Sequence, residues 1–213
     1  MTETGPDWVA WHQAYDAPGS PLARRLVLVQ EQLRVGLDRA PAGTVRLLSL
    51  CAGQGRDVLG VVATHQRRDD VAARLLELNP DLAATARAGA AAQHLDVEVR
   101  TTDAGLTDEY VGAVPAQIVL ACGIFGHVSD EGLEALIGSL DELCAPGASV
   151  IWTRHRKPPD LTPTIRRWFA EAGFEELSFE VLEHDPYVSV GHHAFASEPA
   201  PLQAGRRLFT FVE

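Results

Sequence analysis

Apolar positions fall into short runs of strand length and longer stripes at helical spacing, and the two kinds alternate along the chain. Residues 45–50 (VRLLSL) are a short, mostly apolar run with the profile of a strand buried on both faces. Residues 71–78 (VAARLLEL), 97–102 (VEVRTT), 117–121 (QIVLA) and 149–153 (SVIWT) read as further strands. Ahead of them, Leu22, Leu26, Val29, Leu33 and Leu37 recur at helical spacing, closed by Pro41-Ala42-Gly43. Helices are also expected from Arg56 to about Gln66, over the alanine-rich 81–94, and briefly over 107–114. Ser129 is an N-cap for a helix running to Cys144, stopped by Pro146-Gly147. Thr162-Pro163 starts another, which Gly173 ends. Residues 174–182 and 207–212 (RLFTFV) read as two last strands joined by a long irregular loop.

Strands alternating with helices predict a doubly wound parallel α/β sheet of seven strands. No helix separates the last two strands, so the final one is expected to run antiparallel. Residues 1–42 form a helical extension and 43–213 the sheet domain. The extension opens with Trp8, Trp11, His12, Tyr15 and Asp16, then breaks at Pro18-Gly19-Ser20-Pro21. Its aromatics either pack as core or fold over a site.

The 213 residues are 46% hydrophobic and 22% charged, with a net charge of −11, which disfavours a nucleic-acid partner. Arg24-Arg25, Arg67-Arg68 and Arg166-Arg167 are read as solvated helix faces. Three cysteines without a CxxC give no disulfide framework and point to reduced thiols. No apolar run reaches membrane-spanning length, and residues 1–6 lack the pattern of a secretion leader. A cytoplasmic location is expected; oligomeric state is left open.

Candidate chemistry collects at strand ends. Gly53 and Gly55 follow the first strand, where small residues let a ligand approach the backbone ahead of a helix N-terminus. Glu77 ends the second strand, 22 residues beyond Gly55, near the separation at which an acidic side chain meets ribose hydroxyls. Asp103 ends the third. Parallel strands share one edge, so these groups converge on one elongated ligand. A dehydrogenase fingerprint needs a third glycine where Val58 stands, which argues against a nicotinamide cofactor.

With these motifs in order, the chain resembles the class I S-adenosylmethionine (SAM) dependent methyltransferases, a Rossmann-like family. Cys51-Ala52-Gly53-Gln54-Gly55-Arg56 is similar to the family's first motif, usually E/D-x-G-x-G-x; position 51 is Cys where an acidic residue is more usual. The resemblance implies that Glu77, followed by Leu78, holds the ribose hydroxyls of SAM. It places Asp103-Ala104 beside the adenine and Cys122-Gly123-Ile124 along the methyl-donor pocket. The fourth strand lacks Asn/Asp-Pro-Pro-Tyr, which argues against methylation of base amines.

The implied activity is methyl transfer to a small-molecule oxygen or nitrogen acceptor, releasing S-adenosylhomocysteine. Alternatives are a cyclase or lyase using SAM on the same fold, and a non-catalytic SAM-binding protein. Among eight histidines, His127, His155, His192 and His193 lie at the expected substrate edge, and the first three are base candidates in that order; each also reads as a surface or hydrogen-bonded structural histidine. His12, His65, His94 and His184 are less informative. Tyr15 is a further catalytic candidate if the extension covers the pocket. His192-His193 lacks partners at metal-ligand spacing, so no metal is expected.

Overall fold

The computed structural model describes residues 8–183 and 185–212. The leader reading of residues 1–6, and His184, lie outside them. Seven strands form one sheet: β1 (Val45–Ser49), β2 (Val71–Glu77), β3 (Val97–Thr101), β4 (Ala116–Ala121), β5 (Cys144–His155), β6 (Phe174–Leu182) and β7 (Asp185–Phe195). Their order is β3-β2-β1-β4-β5-β7-β6, with β1 to β5 parallel and β7 antiparallel to both neighbours. The chain steps outward from β1 to β3 and then returns to β4 on the other side of β1. That reversal opens a crevice outside the carboxyl ends of β1 and β4.

Alternation along the strands feeds two cores. Leu48, Val119, Val150 and Trp152 face α5 (Asp130–Gly138) and α6 (Thr162–Glu171), with Phe125, Phe169 and Phe195 among them. Leu47, Leu75, Ile118 and Ile151 point the other way, against Val29, Leu33 and Leu37 of α2 (Pro21–Arg39) and Val58, Val61 and Val62 of α3 (Arg56–Val62). The stripe at helical spacing is therefore the buried face of α2. Ser20 caps it, accepting the Ala23 N–H at 3.0 Å, so the predicted chain break is also the helix start. α4 (Pro80–Ala92) buries Leu82, Ala83, Ala86 and Ala90.

The last strand is a correction. Residues 207–212 make only isolated bridges, Leu106 with Arg207 and Val128 with Phe211, and the strand that completes the sheet is β7, inside the expected loop. β7 slots between β5 and β6, so no ladder edge is left there for the tail. His192 therefore sits within the sheet rather than on a loop.

Other expectations shift for local reasons. α3 stops at Val62, where the Thr64 hydroxyl turns back onto the Val61 carbonyl at 3.3 Å. α5 ends at Gly138, and Cys144 already opens β5 opposite Ala116. Ser129 does cap α5 through the Gly132 N–H. At α6 the capping acceptor is Asp160, which takes the Thr162 N–H at 2.9 Å and its hydroxyl at 2.7 Å. Arg67 is no solvated helix residue: its guanidinium donates to the carbonyls of Leu37, Ala40, Pro41 and Gly43, closing the C-terminus of α2.

Candidate functional site

β1, β2 and β4 run in one direction, so their carboxyl ends deliver three loops to the crevice. The first turns sharply. Cys51 takes the left-handed conformation (φ 54°), uncommon for a side chain of its kind, followed by Gly53 (φ 56°) and Gly55 (φ 67°). A side chain on Gly53 would run into the imidazole of His12, and one on Gly55 into Leu75. Glycine is required at both places by conformation and by space.

Glu77 ties the first loop to the second. It is 8% exposed; Oε2 accepts the Gly53 N–H and Oε1 the Asn79 N–H, each at 2.7 Å. The carboxylate is thus held by the backbone at the cavity wall, with lone pairs to spare on both oxygens. The third loop begins with Cys122 and Gly123, whose N–H donates to the Thr153 hydroxyl at 2.9 Å.

These loops wall a cavity of about 310 Å³, a volume typical of small-molecule sites. The extension roofs it. α1 (Trp8–His12) and the single turn Gln13–Asp16 place Trp8, Trp11, His12 and Tyr15 on the lining. Trp8 meets His127 edge to face at 5.2 Å, and Arg56 lies over the Tyr15 ring at 5.5 Å while pairing bidentately with Asp16 (2.6 and 3.1 Å). His12 Nδ1 donates to the Trp8 carbonyl at 2.7 Å. The tail closes the remaining side: Leu208 N–H donates to Gly105, Val212 N–H to His127, and Phe211 joins the lining.

Burial sets the charges. It pushes the Tyr15 hydroxyl up and the thiols of Cys51 and Cys122 well up, so both cysteines are neutral and neither is a nucleophile. The carboxyl of Asp57, on the first turn of α3, is raised to about 6 by burial. Burial, then the charges of Arg154 and Arg25, hold the His127 imidazole below its ordinary value.

Of the cofactor residues named from sequence, Cys51, Ala52, Arg56, Glu77, Leu78, Cys122 and Gly123 line the cavity. Gly53 and Gly55 shape its loop without lining it. Asp103, Ala104 and Ile124 stand outside. Asp103 pairs with Arg207 and accepts the Gly105 N–H, both at 2.8 Å; Ala104 is buried under the Tyr110 hydroxyl, and Ile124 is buried with its carbonyl on the His127 N–H. Of the base candidates, His127 and Tyr15 line the cavity. His155 lies beside Gly126, outside the lining. His192 is fully buried in β7, with Nδ1 at 3.0 Å from Gln32 Oε1, outside the lining of this cavity.

Sequence reading missed His12, Arg25, Asp57 and Phe211. Arg25 was placed on a solvated face, yet it stands four residues before Val29 on the buried stripe of α2. Asp57 likewise stands four before Val61 of α3. A charge set into an apolar stripe was the available signal. Among the described residues no cluster of three or more His, Cys, Asp or Glu is arranged for a metal, and no helix is long and apolar enough to cross a membrane.

No family model and no curated protein matches this sequence. Solved structures do. An O-methyltransferase family protein from Burkholderia thailandensis superposes with a TM-score of 0.66 at 17% identity, over 90% of this chain and 60% of that one. This chain therefore spans under two thirds of that relative's length. A 1,6-didemethyltoxoflavin-N1-methyltransferase from Burkholderia thailandensis, bound to 1,6-didemethyltoxoflavin and S-adenosylhomocysteine, gives 0.65 at 12% identity over 89% and 87%. An RNA methyltransferase from Salinibacter ruber, in complex with S-adenosylhomocysteine, gives 0.55 at 21% identity over 83% and 95%. The chain has the Rossmann-like methyltransferase fold, as the strand order and these likenesses show.

Proposed function

We propose that this protein is a SAM-dependent methyltransferase acting on a small molecule through an oxygen or nitrogen acceptor. The observation that carries the reading is the Glu77 carboxylate, backbone-held at the end of β2 beside the turn at Gly53, with unused lone pairs facing a cavity of suitable size. Two vicinal ribose hydroxyls fit that acceptor pair. Leu78, 65% exposed at the rim, offers an apolar face for a base, and Cys122-Gly123 a small-residue wall for the sulfonium end. The residues present thus fit the cofactor. When bound, it supplies an electrophilic methyl group carried by a sulfonium.

What the chain itself contributes is enclosure, alignment and a base. Trp8, Trp11 and Tyr15 roof the cavity with rings that exclude water. Alignment of the acceptor accounts for much of the rate in an in-line displacement. His127 is half-buried against Trp8 and Phe211 and is neutral at neutral pH, so it is able to take a proton from an acceptor hydroxyl or amine. A roofed cavity and a net charge of −11 favour a small acceptor over a nucleic acid.

The test is incubation with methyl-labelled SAM and a metabolite extract. Label in a small organic product with matching S-adenosylhomocysteine supports the reading. Release of 5′-methylthioadenosine would identify a cyclase or lyase instead, and binding without turnover a non-catalytic protein.

A further inference from the structure

A second hollow lies outside the cavity described above. It is a groove of about 390 Å³ between the start of α5, at Ser129 and Gly132, and residues 207–212. Phe211 lines both spaces, so its ring divides groove from cavity. The cavity itself has little room for two ligands. At about 310 Å³ it stands at the low end of the range for small-molecule sites, ~300–1,000 Å³, so a nucleoside carrying an amino-acid tail takes it up. Trp8, Trp11 and Tyr15 cover it on the roof side.

The groove is preformed. Its outer wall is anchored at both ends: Arg207 donates to Asp103 and the Leu208 N–H to the Gly105 carbonyl, and the Val212 N–H donates to the His127 carbonyl, each at 2.8 Å. Between the anchors Leu208 and Phe209 are buried, whereas Phe211 and Val212 stay open at 44% and 53%. Exposed apolar side chains are ordinary when scattered; these two edge a hollow beside a candidate base. The Phe211 ring lies 5.5 Å from Phe209 and 6.2 Å from the His127 imidazole. Polar groups along the groove are already matched. Arg207 is neutralised by Asp103, and the Ser129 hydroxyl accepts the Gly132 N–H at 3.1 Å. What remains is an apolar surface without net charge, with an imidazole beyond its dividing ring.

We propose that this groove seats the methyl acceptor, and that the acceptor is an uncharged, flat, apolar ring compound bearing a hydroxyl or amine. Its ring packs on Phe211, and the reacting group reaches past that ring to His127. This rests on the methyltransferase reading above and names the class of its acceptor. At the junction the acceptor atom bonds to the methyl carbon, the methyl–sulfur bond breaks with its electron pair left on sulfur, and the acceptor's proton passes to His127.

Indole, a flat, uncharged molecule with a single N–H, is the probe. It is titrated calorimetrically into wild type, Thr210→Trp and Phe211→Leu, each saturated with S-adenosylhomocysteine. Thr210 is exposed on the groove wall and does not line the cavity, so a tryptophan there crowds the groove alone. Unchanged S-adenosylhomocysteine affinity in that variant certifies its fold. The proposal expects one indole site on the wild-type complex, weakened at least tenfold by Thr210→Trp and roughly 2–10-fold by Phe211→Leu. In the labelled-SAM assay with metabolite extract, Thr210→Trp should lose the labelled product. Equal indole affinity in both variants would overturn the groove as the acceptor site, as would the absence of indole binding to the wild-type complex. Indole binding that S-adenosylhomocysteine abolishes would put the probe in the cavity and overturn it too. Failure of the wild-type protein to bind S-adenosylhomocysteine would instead overturn the cofactor reading, and the acceptor assignment with it.

Discussion

Glu77→Gln separates the structural duty of the Glu77 carboxylate from its proposed duty to a ligand. In the native site each oxygen accepts one N–H, from Gly53 and Asn79, at 2.7 Å. Glutamine keeps the size but offers one acceptor oxygen and an NH₂ group, so one of the two N–H donors faces another donor. An unpaired buried donor costs about 1–3 kcal/mol. In a chain of this size each kcal/mol lowers Tm by about 2–4 °C. The ligand-free variant should therefore melt about 2–12 °C below wild type. The ribose contact is a separate loss: a hydrogen bond to a charged acceptor contributes about 1.5–3 kcal/mol, which is about 10–150-fold in Kd. Differential scanning fluorimetry without ligand reads the first effect, and calorimetry with S-adenosylhomocysteine the second. A variant that melts with wild type refutes the backbone clamp. One that melts lower yet binds equally well refutes the ribose role.

Three further outcomes follow from the same geometry. Hydrogen exchange over residues 8–20 should slow when S-adenosylhomocysteine is added, because the roof is pinned by an exposed Arg56–Asp16 pair; equal protection in both states would make the segment static core. His127→Asn should lower turnover by about 10²–10⁴-fold with S-adenosylhomocysteine affinity kept. The wild-type rate should rise along a limb centred below the ordinary imidazole value of 6.5, and wild-type turnover in the variant would return His127 to a structural role. His192 and His193 are buried neutral, with values lowered to about 4 by burial against an ordinary 6.5. The unfolded chain then binds protons first, so their contribution to stability is whole above about pH 6.5 and lost as pH falls towards 4. Between pH 7.5 and 5.5 this amounts to about 1.4 kcal/mol per ring, readable in urea midpoints, and a flat profile would contradict it.

The glycine turn, Glu77 and the parallel strands were legible because each is a short-range pattern: an apolar run, a turn residue and a polar group at a strand end. β7 was not. Asp185-Pro186 at its start and Gly191-His192-His193 within it read as loop, and only the fold supplies what makes them a strand. Gln32 meets His192, and the Trp152 indole N–H donates to His193 Nδ1 at 3.1 Å. Residues 207–212 show the converse: the place beside β5 is taken by β7, and the segment makes only isolated bridges with Leu106 and Val128 and helps close the cavity. Arg25 and Asp57 were legible only as charges set into apolar stripes; what surrounds them, Tyr15 from the turn before α2 and Cys122 from the end of β4, is supplied by the fold.

The central claim is that the cavity takes the nucleoside of SAM, and calorimetric titration of the folded wild-type protein with S-adenosylhomocysteine tests it most directly. The account predicts a single site of micromolar Kd. At a hundredfold excess over Kd, mass action should add about 2.7 kcal/mol of stability, a rise in Tm of about 5–10 °C. Well-folded protein giving no heat and no shift in Tm would contradict it.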